Sequence, residues 1–404
     1  MSNFFDYQRF FSFATCINLN IAVRYLKLYF FRRKNMKKLL AVLLVLLVAG
    51  ALFAGGKTES SAMIGVAMPE THVQRWVKDG NSLKDEAVKR GYRAEVQWGN
   101  ADQAQQNQQI QSFLTQGAKA LIIGNINDGV GSVVAEARRD SVIVIAYDRI
   151  IQGTADYEYY ITFNNYKVGT LQGTSIKDAL NLDAATTAAP KYITLFAGSP
   201  TDANANFFFQ GAMDVLLPYI DKQVLRVVGP FPRHYSDTAN FQRIATENWQ
   251  APIAKTRMEN LLNGDARNVT LDAVLAPNDT LARAIIEACK ADAKYRDKLP
   301  VVSGQDAEFD SMMSIKNGEQ TSTVFKDTAK LAEAAVMLAD QLLKGQPVNI
   351  PGAVLAAGDT TEIANTGRGY VKTLLLDPIL ITRTNLQVPV TAGFFSDAEA
   401  AQLR

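Results

Sequence analysis

From Ala62 onward, short aliphatic runs alternate with amphipathic segments of helical length, and no other feature of the chain constrains its fold as tightly. The runs AMIGVAM, YRAEVQW, KALIIG, VIVIAY, YITLFAG, LRVVG, LDAVLA, LPVVSG and STVF are mostly continuous in aliphatic residues, as strands buried on both faces must be. Between them lie patterns such as QNQQIQSFLTQG and KLAEAAVMLADQLLKG. The second sets Leu331, Ala335, Leu338 and Leu342 on one face and stops at Gly345. Strand, helix, strand, repeated, implies parallel sheets covered on both sides, an α/β fold.

A chain of 404 residues exceeds one ordinary core, and so many strands exceed one small sheet. The texture changes at YYITFNNYKVG, residues 159–169, which reads as a crossing between two lobes. No Pro-rich or Gly/Ser-rich linker intervenes, so the lobes should be closely coupled.

The start of the chain is different in kind. Met36 opens MKKLLAVLLVLLVAGALFAGG: a basic Lys37–Lys38 pair, an apolar run, then small residues, the layout of a secretory signal over 36–56. Cleavage after Ala51 and after Gly56 both fit. A signal belongs at a true start, so residues 1–35 read as a misassigned extension. The competing reading, a retained anchor, is disfavoured because the apolar run 39–54 is short against the roughly 20 residues of a span. Residues 1–56 hold 8 of the 42 Lys and Arg but 1 of the 40 Asp and Glu, so the whole chain's +2 becomes −5 for residues 57–404. An acidic mature chain gives no support to nucleic-acid binding. Only Cys289 remains after processing, which excludes an intramolecular disulfide; at core spacing in LARAIIEACKA it reads as buried and inert.

In open α/β sheets, ligands bind beyond the carboxyl ends of the strands. There the sequence offers Arg75 and Trp76, Asp148 and Arg149, Asp202 and Asn204, Asn278 and Asp279, Gln305 and Asp306, and Lys326. An acid beside a base at a strand end can stabilise both charges while presenting lone pairs and N–H groups to a cleft. A polyol matches such a set, since each hydroxyl donates and accepts at once. An anionic ligand would be repelled by Asp148 and Asp306. Trp76 and Trp249 are candidate walls for the C–H faces of a sugar ring. Asp279, followed by TLARAII, reads first as a helix N-cap.

The stretches RWVKDGNSL, VIVIAYDRII, ITFNNYKVGTLQ, GSPTDANANFFFQGAM, LPVVSGQDAE and STVFKDT, in this order across residues 62–404, resemble the periplasmic aldose-binding proteins of ABC importers. The resemblance is nearest to the multiple-sugar-binding branch for glucose, galactose and arabinose, with the xylose-binding proteins next. It implies two Rossmann-like lobes with parallel-rich sheets joined by a three-segment hinge, a type I periplasmic binding protein. The boundaries implied are 62–164 plus 325–346 for the first lobe and 165–324 plus 347–404 for the second. It also implies Arg75, Asp148, Arg149, Asn204, Asn278, Asp306 and Lys326 as the hydrogen-bonding set, with Trp249 stacking and Trp76 beside it. The expected partners are a neutral monosaccharide, a transmembrane permease and, as a further candidate, a chemoreceptor, with the protein a periplasmic monomer. Two departures bear on specificity: Ala203-Asn204 where the family pairs two Asn, and Asn164 where it has Asp.

His72 and His234 stand in unrelated contexts with no ligand cluster, so no metal is expected. No G-x-S-x-G elbow or phosphate loop occurs, and the G-x-G of GVGSVVAEA is a lone fragment. No cofactor and no catalytic residue are assigned. Two alternatives remain: a sugar-modifying mutarotase or isomerase drafting Asp148 and Asp306, and a sugar-responsive regulator. The second would need an N-terminal DNA-binding motif where this chain has a secretory signal.

Overall fold

The computed structural model describes residues 61–356 and 362–404, and Ala62–Arg404 forms one compact unit. The segments 1–35 and 36–56 lie outside the described residues.

Strand β1 (Met63–Met68), helix α1 (Gln74–Lys89), β2 (Arg93–Trp98), α2 (Gln103–Thr115), β3 (Ala118–Ile123), α3 (Gly131–Arg139) and β4 (Ile143–Tyr147) follow one another as the alternation predicts; β5 (Tyr159–Phe163), in the segment read as a crossing, follows β4 with no helix between them. The chain then enters a second lobe with α4 (Asn165–Ala179), β6 (Lys191–Leu195), α5 (Ala203–Asp221), β7 (Leu225–Val227), α6 (Thr238–Ile244), α7 (Ala251–Asn263), β8 (Ala273–Leu275), α8 (Asp279–Ala291), β9 (Val301–Val302), α9 (Phe309–Lys316) and β10 (Ser322–Phe325). Helix α10 (Thr328–Leu343), β11 (Val354–Leu355), β12 (Lys372–Leu376), β13 (Ile379–Thr382), α11 (Gln387–Thr391) and α12 (Asp397–Leu403) complete the chain.

The first sheet runs β11-β12-β5-β4-β3-β1-β2, parallel except for β11. Its order reverses between β1 and β3, the switch point at which open α/β sheets place their ligands. Leu83 and Ala87 of α1 pack with Leu331 and Ala335 of α10 on one face; Ile110 and Phe113 of α2 pack with Val133 and Val134 of α3 on the other. The second sheet runs β7-β6-β8-β9, and β10 continues it: Val324 donates to the Gly304 carbonyl and Asp306 to that of Val324. Strand β10 also pairs antiparallel with β13.

Strands β11 and β12 correct the expected lobe boundary. They lie in the first sheet rather than with the second lobe, because Lys372–Leu376 pairs in register with Tyr159–Phe163 and buries Leu374 and Leu376. The third crossing therefore falls at 376–379. The first two are at 163–165 and 325–328. Asn164, at the first, caps α4: its Oδ1 accepts the Lys167 N–H at 3.0 Å while its own N–H donates to the Leu376 carbonyl at 2.9 Å. An amide oxygen serves this cap as a carboxylate would. Cys289 is fully buried, and burial pushes its thiol up to about 12.

Candidate functional site

Arg75, Trp76, Asp148, Arg149, Asn204, Trp249, Asn278, Asp306 and Lys326 all line one chamber between the lobes, joined there by Val73, Asp202, Phe208 and Gln305. About 280 Å3 of space is not filled by protein atoms.

Each side chain reaches the chamber for a local reason. Arg75 and Trp76 occupy the first turn of α1. The Arg75 guanidinium lies 3.0 Å from Asp148 and 3.8 Å from Asp306, and a turn later Asp79 holds its other nitrogen. Asp148 leaves β4 with φ +62, a left-handed conformation costing a non-glycine residue about 1–3 kcal/mol. Three donors fix it there: its carbonyl accepts from Tyr160 Oη (2.9 Å), Thr162 Oγ1 (2.9 Å) and Asn204 Nδ2 (2.8 Å). Asp306 is likewise left-handed at φ +94, and its carboxylate lies 3.0 Å from Lys326 Nζ.

Asn278, rather than Asp279, caps α8, accepting the Leu281 N–H at 3.0 Å; its Nδ2 makes no hydrogen bond among the described residues. The N-cap reading of Asp279 is thus corrected, because the chain turns helical one residue earlier than the sequence suggests. Asp279 is fully buried beneath the site and accepts from the Glu308 N–H, Thr323 Oγ1 and Gln320 Nε2, each at 2.9 Å, so it fixes the loop that carries Gln305 and Asp306. Burial, with Glu308 nearby, pushes its carboxyl well above the usual range.

The apolar walls stand on opposite sides. The Trp76 ring lies under both guanidiniums, 4.5 Å from Arg75 and 4.9 Å from Arg149. Across the cleft, Trp249 meets Phe208 edge-to-face at 6.4 Å. Trp249 Nε1 donates to Asp202 at 3.2 Å, and the indole lies so close over Gly198 that a Cβ there would sit 2.0 Å from it.

Charge alternates around the chamber. Burial alone would raise the Asp148 carboxyl, but Arg75, Lys326 and Arg149 outweigh it and hold it below the ordinary value of 3.8. Burial likewise opposes the Arg75 charge and is outweighed by Asp148, Asp79 and Asp306. Asp202 is shifted the other way, raised by burial against Arg149.

Two expected ligand donors are largely spent within the protein. Arg149 lies 2.9 Å from Glu70 and 2.9 Å from Asp202 of the opposite lobe, and donates to the Asn125 carbonyl at 3.2 Å. Asn204, besides its bond to Asp148, accepts from Tyr160 Oη at 3.1 Å and Asn165 Nδ2 at 2.8 Å. Gln305, in contrast, is buried with an unpartnered Oε1 facing the chamber. Its signal was its place beside Asp306 at a strand end. Ala203 packs against apolar residues of the first lobe, outside the chamber, so its departure from a paired Asn removes no chamber group.

His72 Nε2 donates to the Asn248 carbonyl and His234 meets Ser236; among the described residues no cluster of His, Cys, Asp and Glu is arranged to hold a metal.

A family profile described as a periplasmic binding protein domain matches residues 64–347. The chain is 38% identical to a multiple sugar-binding periplasmic protein of Azospirillum brasilense, over 83% of this chain and 90% of that one. It is 35% identical to a D-xylose-binding periplasmic protein of Escherichia coli, over 83% and 92%. Among solved structures, an ABC transporter solute-binding protein from Clostridium phytofermentans with bound β-D-glucose superimposes with a TM-score of 0.74 at 34% identity, covering 84% of this chain and 99% of that one.

Proposed function

Because the chain belongs to the periplasmic binding protein family and has its type I fold, we propose that it captures a neutral aldose and delivers it to the permease of an ABC importer. One observation carries this reading: carboxylates, cations and an unspent carboxamide from both lobes alternate around a chamber walled by Trp76, Trp249 and Phe208. Asp148 and Asp306 accept ring hydroxyls, while Arg75, Lys326, Asn278 and Gln305 donate to their oxygens. The aromatic walls take the C–H faces. Net neutrality inside the chamber suits an uncharged ligand, since any added charge would lose solvent without gaining a partner. The relatives named above bind multiple sugars, xylose and glucose, which makes hexoses and pentoses with an equatorial hydroxyl set the first ligands to try.

The protein acts without turnover in this reading. Of the two acids that could be drafted for proton transfer, Asp148 is held ionised by Arg75, Lys326 and Arg149, and Asp306 is paired with Lys326. Lobe closure around the sugar creates the surface that a permease, and in some settings a chemoreceptor, would recognise. Secretion places it in the periplasm as a monomer.

Calorimetric titration of the purified protein with glucose, galactose, xylose, arabinose and ribose tests this. At least one should bind near micromolar affinity, about 8 kcal/mol, and be recovered unchanged by NMR. No binding across the panel would overturn the reading, and conversion of an anomer or epimer would favour the mutarotase or isomerase alternative.

A further inference from the structure

A second cavity opens at the mouth of the cleft and shares no lining residue with the chamber. It is a cleft open to solvent, with more unfilled space than the chamber. Its walls come from both lobes: Asp128 and Gln152 from the loops that follow β3 and β4, Asn206 and Phe207 from the first turns of α5, and Tyr235 from the loop before α6.

The chemistry of these walls is distinct. In the chamber most charged groups are matched to one another, whereas here the Gln152 and Asn206 carboxamides and the Asp128 carboxylate make no hydrogen bond or ion pair among the described residues. Gln152, Asn206 and Phe207 are half-buried, with the two carboxamides turned to the open space of the cavity. Among the described residues no Lys or Arg lines the cavity and its one formal charge is the negative Asp128, which disfavours an anion. Two carboxamides that each donate and accept, beside the aromatic faces of Phe207 and Tyr235, are suited to hydroxyls and sugar C–H faces.

We propose that this mouth cavity is a second carbohydrate site that takes a neutral, disaccharide-sized sugar. Because its walls belong to both lobes, its occupant bridges them, and occupancy favours the closed arrangement that also forms the chamber. Binding at the two sites is therefore mutually reinforcing by linkage. The inference stands apart from the aldose reading, since the mouth and the chamber share no lining residue.

Saturation-transfer NMR with maltose as the probe tests it, on the purified protein with and without saturating D-glucose. Saturable transfer to maltose is expected in both conditions, stronger with glucose. Phe207→Ala and Asn206→Ala should each weaken maltose binding by about five-fold or more while leaving D-glucose affinity within about two-fold, which also certifies their folding. Asp148→Ala should retain the maltose signal. Absence of saturable transfer, transfer unchanged in both mouth variants, or its loss in Asp148→Ala would each overturn the proposal. Phe207-dependent maltose binding in a protein that binds no aldose would overturn the aldose reading and leave this one standing.

Discussion

Asp148 lies among Arg75, Lys326 and Arg149, and their combined field outweighs the burial that would otherwise raise its carboxyl. Its folded value is below 3.8, so its stabilising contribution is fully present above that pH and is lost as pH falls through the lower, folded value. Asp148→Asn should weaken aldose binding by one to two orders of magnitude, at about 1.4 kcal/mol per decade. It should also cost stability at pH 7, and the gap to the unsubstituted protein should narrow below about pH 4. Titration calorimetry and urea unfolding at both pH values check this; unchanged affinity would remove Asp148 from the ligand's contacts. Gly198 offers a second case. A Cβ there would lie 2.0 Å from the Trp249 ring, so Gly198→Ala must displace the indole; sugar affinity should fall by about ten-fold, with a smaller ligand-dependent change in tryptophan fluorescence. That eight of the nine expected residues lie around one cleft could be read from sequence, because residues that follow an aliphatic run sit at the carboxyl edge of the sheet; Trp249, in a turn after α6, was named as an aromatic wall and by the resemblance alone. How Arg149 and Asn204 spend their hydrogen bonds could not, since their partners are distant in sequence: Glu70, Asn125 and Asp202 for the first, Asp148, Tyr160 and Asn165 for the second. Nor could the run Phe207-Phe208-Phe209 be resolved. Only the rotation of α5 by about 100° per residue sends the first to the mouth cavity, the second to the chamber and the third to the core.

The nine aliphatic runs coincide with β1 to β4 and β6 to β10, because strands buried on both faces leave an unbroken apolar signal and the partly buried edge strands β2 and β7 still alternate apolar with polar residues. Strands β11, β12 and β13 were not recognised. The first is two residues long with Val354 and Leu355 exposed, and the other two are separated only by Asp377-Pro378 yet join different sheets. Which sheet a short strand joins depends on a partner far away in sequence, and periodicity carries no record of it. Close helix contact, in contrast, leaves a trace in glycine. A Cβ on Gly169 of α4 would lie 1.9 Å from the Phe208 carbonyl oxygen, and one on Gly211 of α5 2.1 Å from that of Tyr166. The two helices touch backbone to backbone. Gly169→Ala is therefore expected to destabilise the protein by about 1–3 kcal/mol, and to weaken sugar binding as well because the strained carbonyl belongs to a chamber wall. Urea unfolding with calorimetry separates the two effects; a loss of stability with unchanged affinity would show that Phe208 does not transmit the strain.

At the level of the whole molecule, closure is held by contacts that reach across the cleft on several sides of the chamber. Arg149 meets Asp202, Asn204 donates to the Asp148 carbonyl, and His72 meets the Asn248 carbonyl at 2.9 Å. Farther out, Lys78 of α1 donates to the Phe394 carbonyl in the C-terminal segment, and its ammonium lies 3.3 Å from the Phe394 ring centroid. Burial lowers the Lys78 pKa against the pull of Glu399, Asp79 and Asp327, so the contact is partly desolvated, the setting in which a cation over an aromatic face is worth most. Lys78 does not line the chamber, so any effect it has on affinity must act through the balance between open and closed lobes. Apparent affinity scales with the fraction of protein able to close. Losing a contact worth about 1–2 kcal/mol should therefore weaken sugar binding by about five- to thirty-fold, chiefly through faster release. Lys78→Ala should show this in stopped-flow fluorescence, and its small-angle scattering at subsaturating sugar should report a larger radius of gyration than the unsubstituted protein. If sugar release and scattering are both unchanged, the contact between Lys78 and Phe394 contributes nothing to closure, and the latch consists of the contacts around Arg149, Asn204 and His72 alone.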